Sequence, residues 1–299
     1  MSQSTSQPSR VFVNSLPKSG THLLSKAIEI FGYKEYMSNR NYVKRVLNHF
    51  GFGTPKAFSY EEAKKASKNK HQKIEATNIS IGVLSPYYVN QYEIRHWLSH
   101  IPHGQYFFGH VPWTPLLGPI LTDLNYRHLV IIRDPRAVLA SVIAAIVEPR
   151  FKRIGRQFLK ADFRRMSPLQ RLNFILEGKN SVPKKADIKV NSFADAYRSI
   201  LAWRNDPNCL LVHFEDLVGE QGGGNVEKQR SIVENIASHL NIQFDDAIAA
   251  KLTEIYNPSA RTFRMGKIDG WKQSMEPASI ERLNEYCEPL CNEAGYKVG

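Results

Sequence analysis

The side chains best suited to chemistry lie in a turn near the start of the chain, directly after a short apolar run. Lys18 supplies a mobile positive charge, and Ser19 and Thr21 supply hydroxyl donors. Gly20 permits the backbone to approach a ligand closely. A helical pattern follows the turn, and the N–H groups at a helix N-terminus attract anions. The segment 11–24 therefore predicts a strand, a phosphate-binding loop and a helix.

This loop differs from the common nucleoside triphosphate motif G-x-x-x-x-G-K-S/T, in which Lys follows the second glycine and the hydroxyl binds magnesium. Here Gly20 is the one glycine of the turn, and Lys18 precedes it by two residues. An ordinary strand-to-helix turn with a Ser or Thr cap is the simplest alternative. The loop alone leaves both interpretations open.

A second group of cations follows the apolar run 129–132, which is typical of a buried parallel strand. Arg133 and Arg136 stand at the start of the next helical pattern, where the helix dipole disfavours cations. Asp134 is the expected N-cap, and a bound anion would explain the arginines. Ser141 lies on the same predicted helix, where a small packed residue is the default interpretation.

A third group is the segment 261–272, with two glycines, four cations and two aromatic residues. This composition indicates a flexible basic loop that can close over a phosphate, with Arg264 forming a bidentate contact. The alternative is a surface loop with incidental charge, above all for Lys267 and Lys272.

The order of apolar runs predicts an α/β fold, with a central mainly parallel sheet flanked by helices. The chain has 299 residues and is 42% hydrophobic, enough for a sizeable core. Ligands in such folds lie at the carboxyl ends of the strands, where both Lys18 and Arg133 are expected. The predicted strands are 11–16, 72–76, 80–84, 104–109, 129–132 and 209–213, and the predicted helices are 21–31, 137–147, 192–204, 226–240 and 277–294.

Two segments carry the excess positive charge of the chain, whose formal net charge is +12. Residues 34–73 hold ten Lys/Arg and three Glu, and residues 148–190 hold twelve Lys/Arg and four Asp/Glu. They could be solvated surface, or lids beside a site that handles anions and an acidic acceptor or carrier. Nucleic-acid binding ranks low, because no recognition motif accompanies the charge.

Cysteine use and apolar runs bear on the compartment. Cys209, Cys287 and Cys291 fit neither a zinc site nor a disulfide framework, so free thiols in a reducing cytoplasm are expected. No run of eighteen apolar residues predicts a membrane span. Residues 1–9 are polar, lack a signal-peptide core and are expected to form a disordered tail.

Together the three groups resemble the motifs of the PAPS-dependent sulfotransferase family (PAPS is 3′-phosphoadenosine 5′-phosphosulfate). The segment 17–21 is similar to its 5′-phosphosulfate loop, and Arg133 with Ser141 to its 3′-phosphate motif. The segment 261–272 is similar to its C-terminal R-K-G-x-x-G-D-W-K stretch. The order and spacing agree from residue 11 to about 275.

The resemblance implies one P-loop-like sulfotransferase domain over residues 10–299, acting without a metal. It implies sulfuryl transfer from PAPS to an acceptor hydroxyl, or less often an amine, with release of adenosine 3′,5′-bisphosphate (PAP). The expected catalytic residues are Lys18, His110 and Ser141. His110 lies in a Gly-His-Val-Pro stretch similar to the family's T-H-L-P, whose His is the base.

The residues expected to bind PAPS come from all three groups, with Tyr197 resembling a family tyrosine that contacts adenine. They are Pro17, Lys18, Ser19, Gly20, Thr21, His22, Arg133, Ser141, Tyr197, Arg264, Met265 and Gly266.

The chain departs from the family pattern near its C-terminus. Met265 replaces the Lys of R-K-G, which puts one 3′-phosphate contact in question. Asp269 and Gly270 stand in exchanged order. The family's K-x-x-x-T-V-x-x-x-E dimer motif is not found upstream of Arg264, so the oligomeric state stays open.

Two other functions remain as alternatives at this stage. A P-loop-type nucleotide kinase would need magnesium and an acidic ligand, and no convincing Asp/Glu pair is present. A non-catalytic nucleotide-binding protein would bind without turnover. The acceptor, whether a small molecule or one bound to a lipid or carrier, cannot be named from the sequence.

Overall fold

The structure is a computed structural model that describes residues 7–36, 54–67, 75–147, 157–179, 189–259 and 265–297. Several sequence expectations lie outside the described residues. They are Arg264, most of the tail 1–9, most of the predicted strand 72–76, and large parts of the basic segments 34–73 and 148–190.

The described strands form one parallel sheet and one hairpin. In chain order they are β1 Arg10–Ser15, β2 Lys34–Glu35, β3 Ala57–Phe58, β4 Asn78–Ile81, β5 Tyr87–Asn90, β6 Gln105–Gly109, β7 Tyr126–Ile132 and β8 Cys209–His213. The main sheet has the order β2-β6-β1-β7-β8, with β3 also pairing with β6, and all its pairings are parallel. Strands β4 and β5 pair antiparallel with each other.

Helices connect the strands and cover the sheet. In chain order the described α-helices are α1 Thr21–Glu29, α2 Tyr60–Ala66, α3 Gln91–Ser99, α4 Leu117–Asp123, α5 Pro135–Val147, α6 Gln157–Arg165, α7 Pro168–Glu177, α8 Phe193–Leu201, α9 Phe214–Leu217, α10 Val226–His239, α11 Asp246–Ala249 and α12 Pro277–Ala294. Among the described segments no helix is both long and apolar enough to cross a membrane.

The central strands are buried on both faces, which explains their continuous apolar sequence. On β1, Phe12 belongs to one hydrophobic cluster, whereas Val11 and Val13 belong to the cluster on the other face. On β7, Val130 and Leu129 divide in the same way. The two-residue period of a strand therefore builds two cores, one on each side of the sheet.

The predicted fold class is confirmed, with differences at the ends of elements. Strand β7 begins at Tyr126 rather than at residue 129. Its first three residues pair with β1 although they include the polar Arg127 and the buried His128, so the strand extends beyond the apolar run. The predicted helix 192–204 is an α-helix to Leu201 and a 3₁₀ turn after it. The predicted strand 80–84 overlaps β4 at two residues only, because β4 begins two residues earlier and ends three residues earlier. Strand β5 was not predicted from the sequence.

The parallel strands end at one edge of the main sheet. Strand β1 leads into Lys18, β6 into His110, β7 into Arg133 and β8 into Phe214. Because β1 lies between β6 and β7, the segments that carry His110 and Arg133 flank the loop of Lys18. The strand order of the sheet therefore brings Lys18, His110 and Arg133 together at one edge.

One buried polar side chain of the sheet has no hydrogen-bond partner. His128 on β7 lies with its ring centroid 4.4 Å from that of Trp203 and 5.1 Å from that of Phe12. Neither of its ring nitrogens has a partner among the described residues. Burial lowers the pKa of His128 to about 3, because the charged ring has no compensating contact.

We expect His128 to make the protein sensitive to acid. Above pH 6.5 the ring is neutral in both the folded and the unfolded state, and the lowered pKa costs no stability. As the pH falls from 6.5 towards 3 the unfolded chain takes up the proton first, so the folded state loses stability. One pH unit below 6.5 the loss is about 1.4 kcal/mol of unfolding free energy. In denaturant titrations, His128→Leu should reduce the slope of the unfolding free energy against pH between pH 6.5 and 3. The reduction should correspond to at most one proton taken up on unfolding. The exposed His100→Leu should not reduce the slope, and equal slopes in His128→Leu and the unaltered protein would contradict the account.

Candidate functional site

The loop after β1 has an unusual backbone. Lys18 has a φ of 77° and Gly20 a φ of 107°, and α1 begins at Thr21. A Cβ on Gly20 would lie 2.7 Å from Cδ2 of Phe214, closer than real contacts allow. Glycine is therefore required at this position both for backbone conformation and for space.

Hydrogen bonds fix the loop against the end of β1. The hydroxyls of Ser15 and Thr21 lie 2.6 Å apart, and the Ser19 N–H donates to the Leu16 carbonyl oxygen at 3.1 Å. The Ser19 side chain is fully buried, and its Oγ has no partner in the described segments. A buried hydroxyl without a partner is costly, so Ser19 is suited to contact a ligand.

The same end of β1 orients His110. Its Nδ1 lies 2.8 Å from the carbonyl oxygen of Ser15. Because a carbonyl oxygen can only accept, this contact assigns the proton of the neutral ring to Nδ1. The lone pair then lies on Nε2, which is the form a general base requires.

The backbone of His110 is bound from two sides. Its N–H donates to the Phe58 carbonyl oxygen at 2.8 Å. Its carbonyl oxygen accepts from the N–H groups of Gly82 and Val83, at 3.0 and 2.8 Å. The short strand β3 and the loop after β4 therefore both hold the histidine in place.

A buried asparagine supports the same segment and was not predicted from the sequence. Asn14 on β1 accepts from the Val111 N–H through Oδ1 and donates to the Val111 carbonyl oxygen through Nδ2, both at 2.9 Å. The indole Nε1 of Trp203 donates to the same carbonyl oxygen at 2.9 Å. A polar residue inside an apolar strand was the one sequence signal that could have revealed Asn14.

Arg133 is positioned from three directions. Its guanidinium carbon lies 4.1 Å from the ring centroid of Phe214, and its Nη2 donates to the Lys267 carbonyl oxygen at 2.8 Å. The Tyr197 hydroxyl donates to the Arg133 carbonyl oxygen at 2.9 Å. Tyr197 is buried behind Arg133 and is not part of the wall of either cavity described below.

Arg136 has an anion of its own in Asp134, so the position of Arg136 does not by itself require a bound ligand. Its Nη2 lies 2.8 Å from Oδ2 of Asp134, and this ion pair is buried. Oδ1 of Asp134 accepts from the Arg136 backbone N–H at 2.9 Å, as expected of an N-cap. The Arg136 guanidinium also lies 5.1 Å from the ring centroid of Trp271. Arg136 thus joins the start of α5 to the C-terminal segment.

Two cavities open at the carboxyl edge of the sheet. The first has a volume of about 380 Å³, and the second has a volume of about 600 Å³. They share five residues of their walls, which are Pro17, Lys18, Thr21, His22 and His110. The Lys18 loop and His110 therefore form the boundary between two chambers.

The first cavity gathers most of the residues that the sequence singled out for nucleotide binding. Besides the five shared residues, its wall contains Gly20, Arg133, Ser141, Met265 and Gly266. It also contains residues that the sequence argument did not assign, among them Leu23, Phe214, Tyr256, Lys267 and Trp271. Arg264 lies outside the described residues, and Ser19 is buried within the loop.

The two departures near the C-terminus meet in space. A Cβ on Gly270 would lie 2.7 Å from the Cε methyl of Met265. A side chain at position 270 would therefore require the Met265 methyl to move. Because Asp269 and Gly270 stand in exchanged order relative to the family pattern, the residue with a φ of 59° is Asp269, and this conformation is uncommon for a non-glycine residue. The Met at 265 and the Gly at 270 are thus linked by packing.

His22 is a second imidazole at the boundary. Its ring centroid lies 5.6 Å from that of Phe108. Burial and the neighbouring charge of Lys18 lower the pKa of His22, so its ring is neutral at neutral pH. In the described part of the chain, no group of three or more His, Cys, Asp or Glu side chains could hold a metal ion.

Comparisons with known proteins agree with this arrangement. A family model described as the sulfotransferase domain matches residues 8–295. No curated protein matches the sequence significantly.

Solved structures resemble the fold at low sequence identity. Mouse sulfotransferase SULT7A1, solved with PAP, is 17% identical with a TM-score of 0.52, and the match covers 96% of this chain and 86% of that one. Retinol dehydratase, solved with androsterone and the inactive cofactor PAP, is 14% identical with a TM-score of 0.51 over 96% and 81% of the two chains. Because the family model spans nearly the whole sequence, the chain belongs to the sulfotransferase family.

Proposed function

We propose that this sulfotransferase moves the sulfuryl group of PAPS to an acceptor hydroxyl at the boundary between its two cavities. The observation that carries the proposal is the shared wall, where Lys18 and His110 belong to both chambers. An in-line displacement needs the donor and the acceptor on opposite sides of the transferred group. Two chambers that meet at a cation and a base provide that arrangement.

The first cavity suits the nucleotide. The N-terminus of α1 and Lys18 offer positive charge for the 5′-phosphosulfate. The Ser19 hydroxyl has no partner among the described residues but does not line the cavity, so it would reach the nucleotide only after a shift of the loop. Leu23 and Tyr256 offer apolar surface for a base. The structures of SULT7A1 and retinol dehydratase, both solved with PAP, support this choice of nucleotide.

The 3′-phosphate would bind at the other group of cations. Arg133, Ser141 and Gly266 line the cavity there, and Arg264 completes the proposed set. Met265 removes a cation from this set, but Lys267 also lines the cavity two residues further along the chain. We assign Lys267 to compensate for the missing charge.

The proposed chemistry uses groups of the protein and no metal. Nε2 of His110 accepts the proton of the acceptor hydroxyl while the acceptor oxygen bonds to sulfur. The bond between sulfur and the bridging oxygen breaks, and Lys18 stabilises the negative charge on the oxygen that leaves with PAP. The helix N-terminus stabilises the same phosphate.

The acceptor is proposed to be a small molecule that fills the second cavity. Its volume of about 600 Å³ lies within the range of small-molecule sites. Retinol dehydratase has been solved with androsterone and with retinol, two small apolar alcohols. The three cysteines are free thiols, consistent with the proposed cytoplasmic location.

Lys18→Ala is expected to remove transfer without unfolding the protein. Loss of a charge that acts on the leaving oxygen should lower kcat by about 10²–10³-fold. Sulfur-labelled PAPS with para-ethylphenol as the acceptor gives the readout. Lys228→Ala, on the exposed side of α10, is the matched control and should keep the normal rate. A Lys18→Ala protein with more than about a tenth of the normal kcat would contradict the assignment.

His110→Asn tests the general base. Asparagine can still donate to the Ser15 carbonyl oxygen but has no basic nitrogen, so kcat should fall by about 10²–10⁴-fold while PAP affinity, measured by calorimetry, stays normal. The exposed His103, whose Nδ1 also contacts a backbone carbonyl oxygen, provides the control His103→Asn. Near-normal turnover of His110→Asn would transfer the role to His22.

Arg133→Ala tests the 3′-phosphate site. We expect the affinity for PAP to fall by about tenfold or more, because a charge-assisted contact is lost. The affinity for adenosine 5′-phosphosulfate, which lacks the 3′-phosphate, should change little. Arg95→Ala at a surface ion pair is the control. An equal loss of affinity for both nucleotides would show that Arg133 does not read the 3′-phosphate.

A further inference from the structure

Besides the five residues that it shares with the first cavity, among them Lys18, His22 and His110, the wall of the second cavity has an apolar part and a further polar part. Phe108, Val83, Leu84, Val142 and Ile146 supply the apolar part. The polar part comes from the first turn of α2 and from the loop after β4, and it comprises Ser59, Glu61, Glu62, Lys65 and Ser85.

Two segments of this further polar part lie against each other. A Cβ on Gly82 would lie 2.5 Å from the Ser85 carbonyl oxygen and 3.3 Å from the Tyr60 backbone nitrogen. The loop of Ser85 therefore lies beside the first turn of α2, which carries Glu61 and Glu62. We call Glu61, Glu62 and Ser85 the acidic end of the cavity.

The charges of the acidic end favour a cation. Oε1 of Glu62 is paired with Nζ of Lys65 at 3.4 Å. Glu61 is exposed and makes no ion pair within the described segments, so one negative charge is left at this end. Lys18, in the wall shared with the first cavity, balances that charge over the described wall as a whole. An acceptor carboxylate would meet like charge at the acidic end.

A buried hydroxyl indicates that a ligand atom belongs at the same place. Ser85 is only 6% exposed, and its Oγ has no hydrogen-bond partner among the described residues. Such a hydroxyl is normally satisfied by a partner or by bound solvent. An ammonium group carries three N–H donors, and the Glu61 carboxylate and the Ser85 hydroxyl oxygen can accept from it, while Glu62 is already paired with Lys65.

We propose that the second cavity selects an acceptor whose hydroxyl is joined through an apolar body to a protonated amine. The hydroxyl lies at His110, the apolar body contacts residues such as Phe108 and Ile146, and the ammonium binds at the acidic end. This inference rests on the proposed function and names the substrate class of its acceptor site. It differs from the acidic acceptor that was one of the alternatives left open by the charge of the two basic segments.

Three phenols that differ in one substituent test the proposal: tyramine, para-ethylphenol and para-hydroxyphenylpropionate. With saturating PAPS, kcat/KM for O-sulfation should be about tenfold higher for tyramine than for para-ethylphenol, and lowest for the acid. Glu61→Gln should remove most of the tyramine preference and leave para-ethylphenol within about twofold. Ser85→Ala should lower only the tyramine value, by about fivefold.

Glu227→Gln is the matched control, because Glu227 also stands in the first turn of an exposed helix but lines neither cavity. It should leave all three values unchanged. Equal values for tyramine and para-ethylphenol, a preference for the acid, or a tyramine preference that survives in Glu61→Gln would overturn the proposal.

A binding measurement separates failure of this inference from failure of the proposed function. If no phenol is sulfated, the proposed function is in error. Calorimetry with PAP-saturated protein then tests the acidic end by itself, with tighter binding of tyramine than of para-ethylphenol supporting it. Equal binding of the two would overturn it.

Discussion

The site depends on a hydrogen bond between two neighbouring parallel strands. The carbonyl oxygen at the end of β1 accepts from Nδ1 of His110, which follows β6, at 2.8 Å. The Ser15 hydroxyl lies 2.6 Å from that of Thr21, where α1 begins. One residue, Ser15, therefore fixes both the tautomer of the proposed base and the start of the helix that is proposed to bind the anion. Asn14, the residue before it, binds the segment after His110 on both its N–H and its carbonyl side.

On the side of the first cavity formed after β7, two arginines are held by contacts with neighbouring residues. Arg133 stacks on Phe214 and bonds to the C-terminal segment through Lys267, while Tyr197 fixes its backbone. Arg136 is neutralised by Asp134 and is therefore a structural residue. Two arginines three positions apart thus have different surroundings, because Arg136 is paired with Asp134, whereas Arg133 stacks on Phe214 and lines the first cavity.

Much of the fold and part of the site could be predicted from local sequence rules. The apolar run before Arg133 and the cap at Asp134 are local features, and the structure shows both. The partner of Arg136 and the contact between Met265 and Gly270 depend on packing between elements, which spacing along the chain does not encode. The contact of Tyr197 also could not be read from the sequence. Its hydroxyl donates to the Arg133 carbonyl oxygen because the side chain is buried behind Arg133. The acidic end of the second cavity could not be seen in the sequence, because Glu61 and Glu62 lie within the segment 34–73, whose net charge is positive.

A crystal structure with PAP and para-ethylphenol bound would test the central claim most directly. The account predicts PAP in the first cavity, with its 5′-phosphate at the Lys18 loop and its 3′-phosphate at Arg133. It predicts the phenol in the second cavity, with its hydroxyl within hydrogen-bond distance of Nε2 of His110. PAP bound in the reverse orientation, or a phenol hydroxyl remote from both Lys18 and His110, would contradict the account.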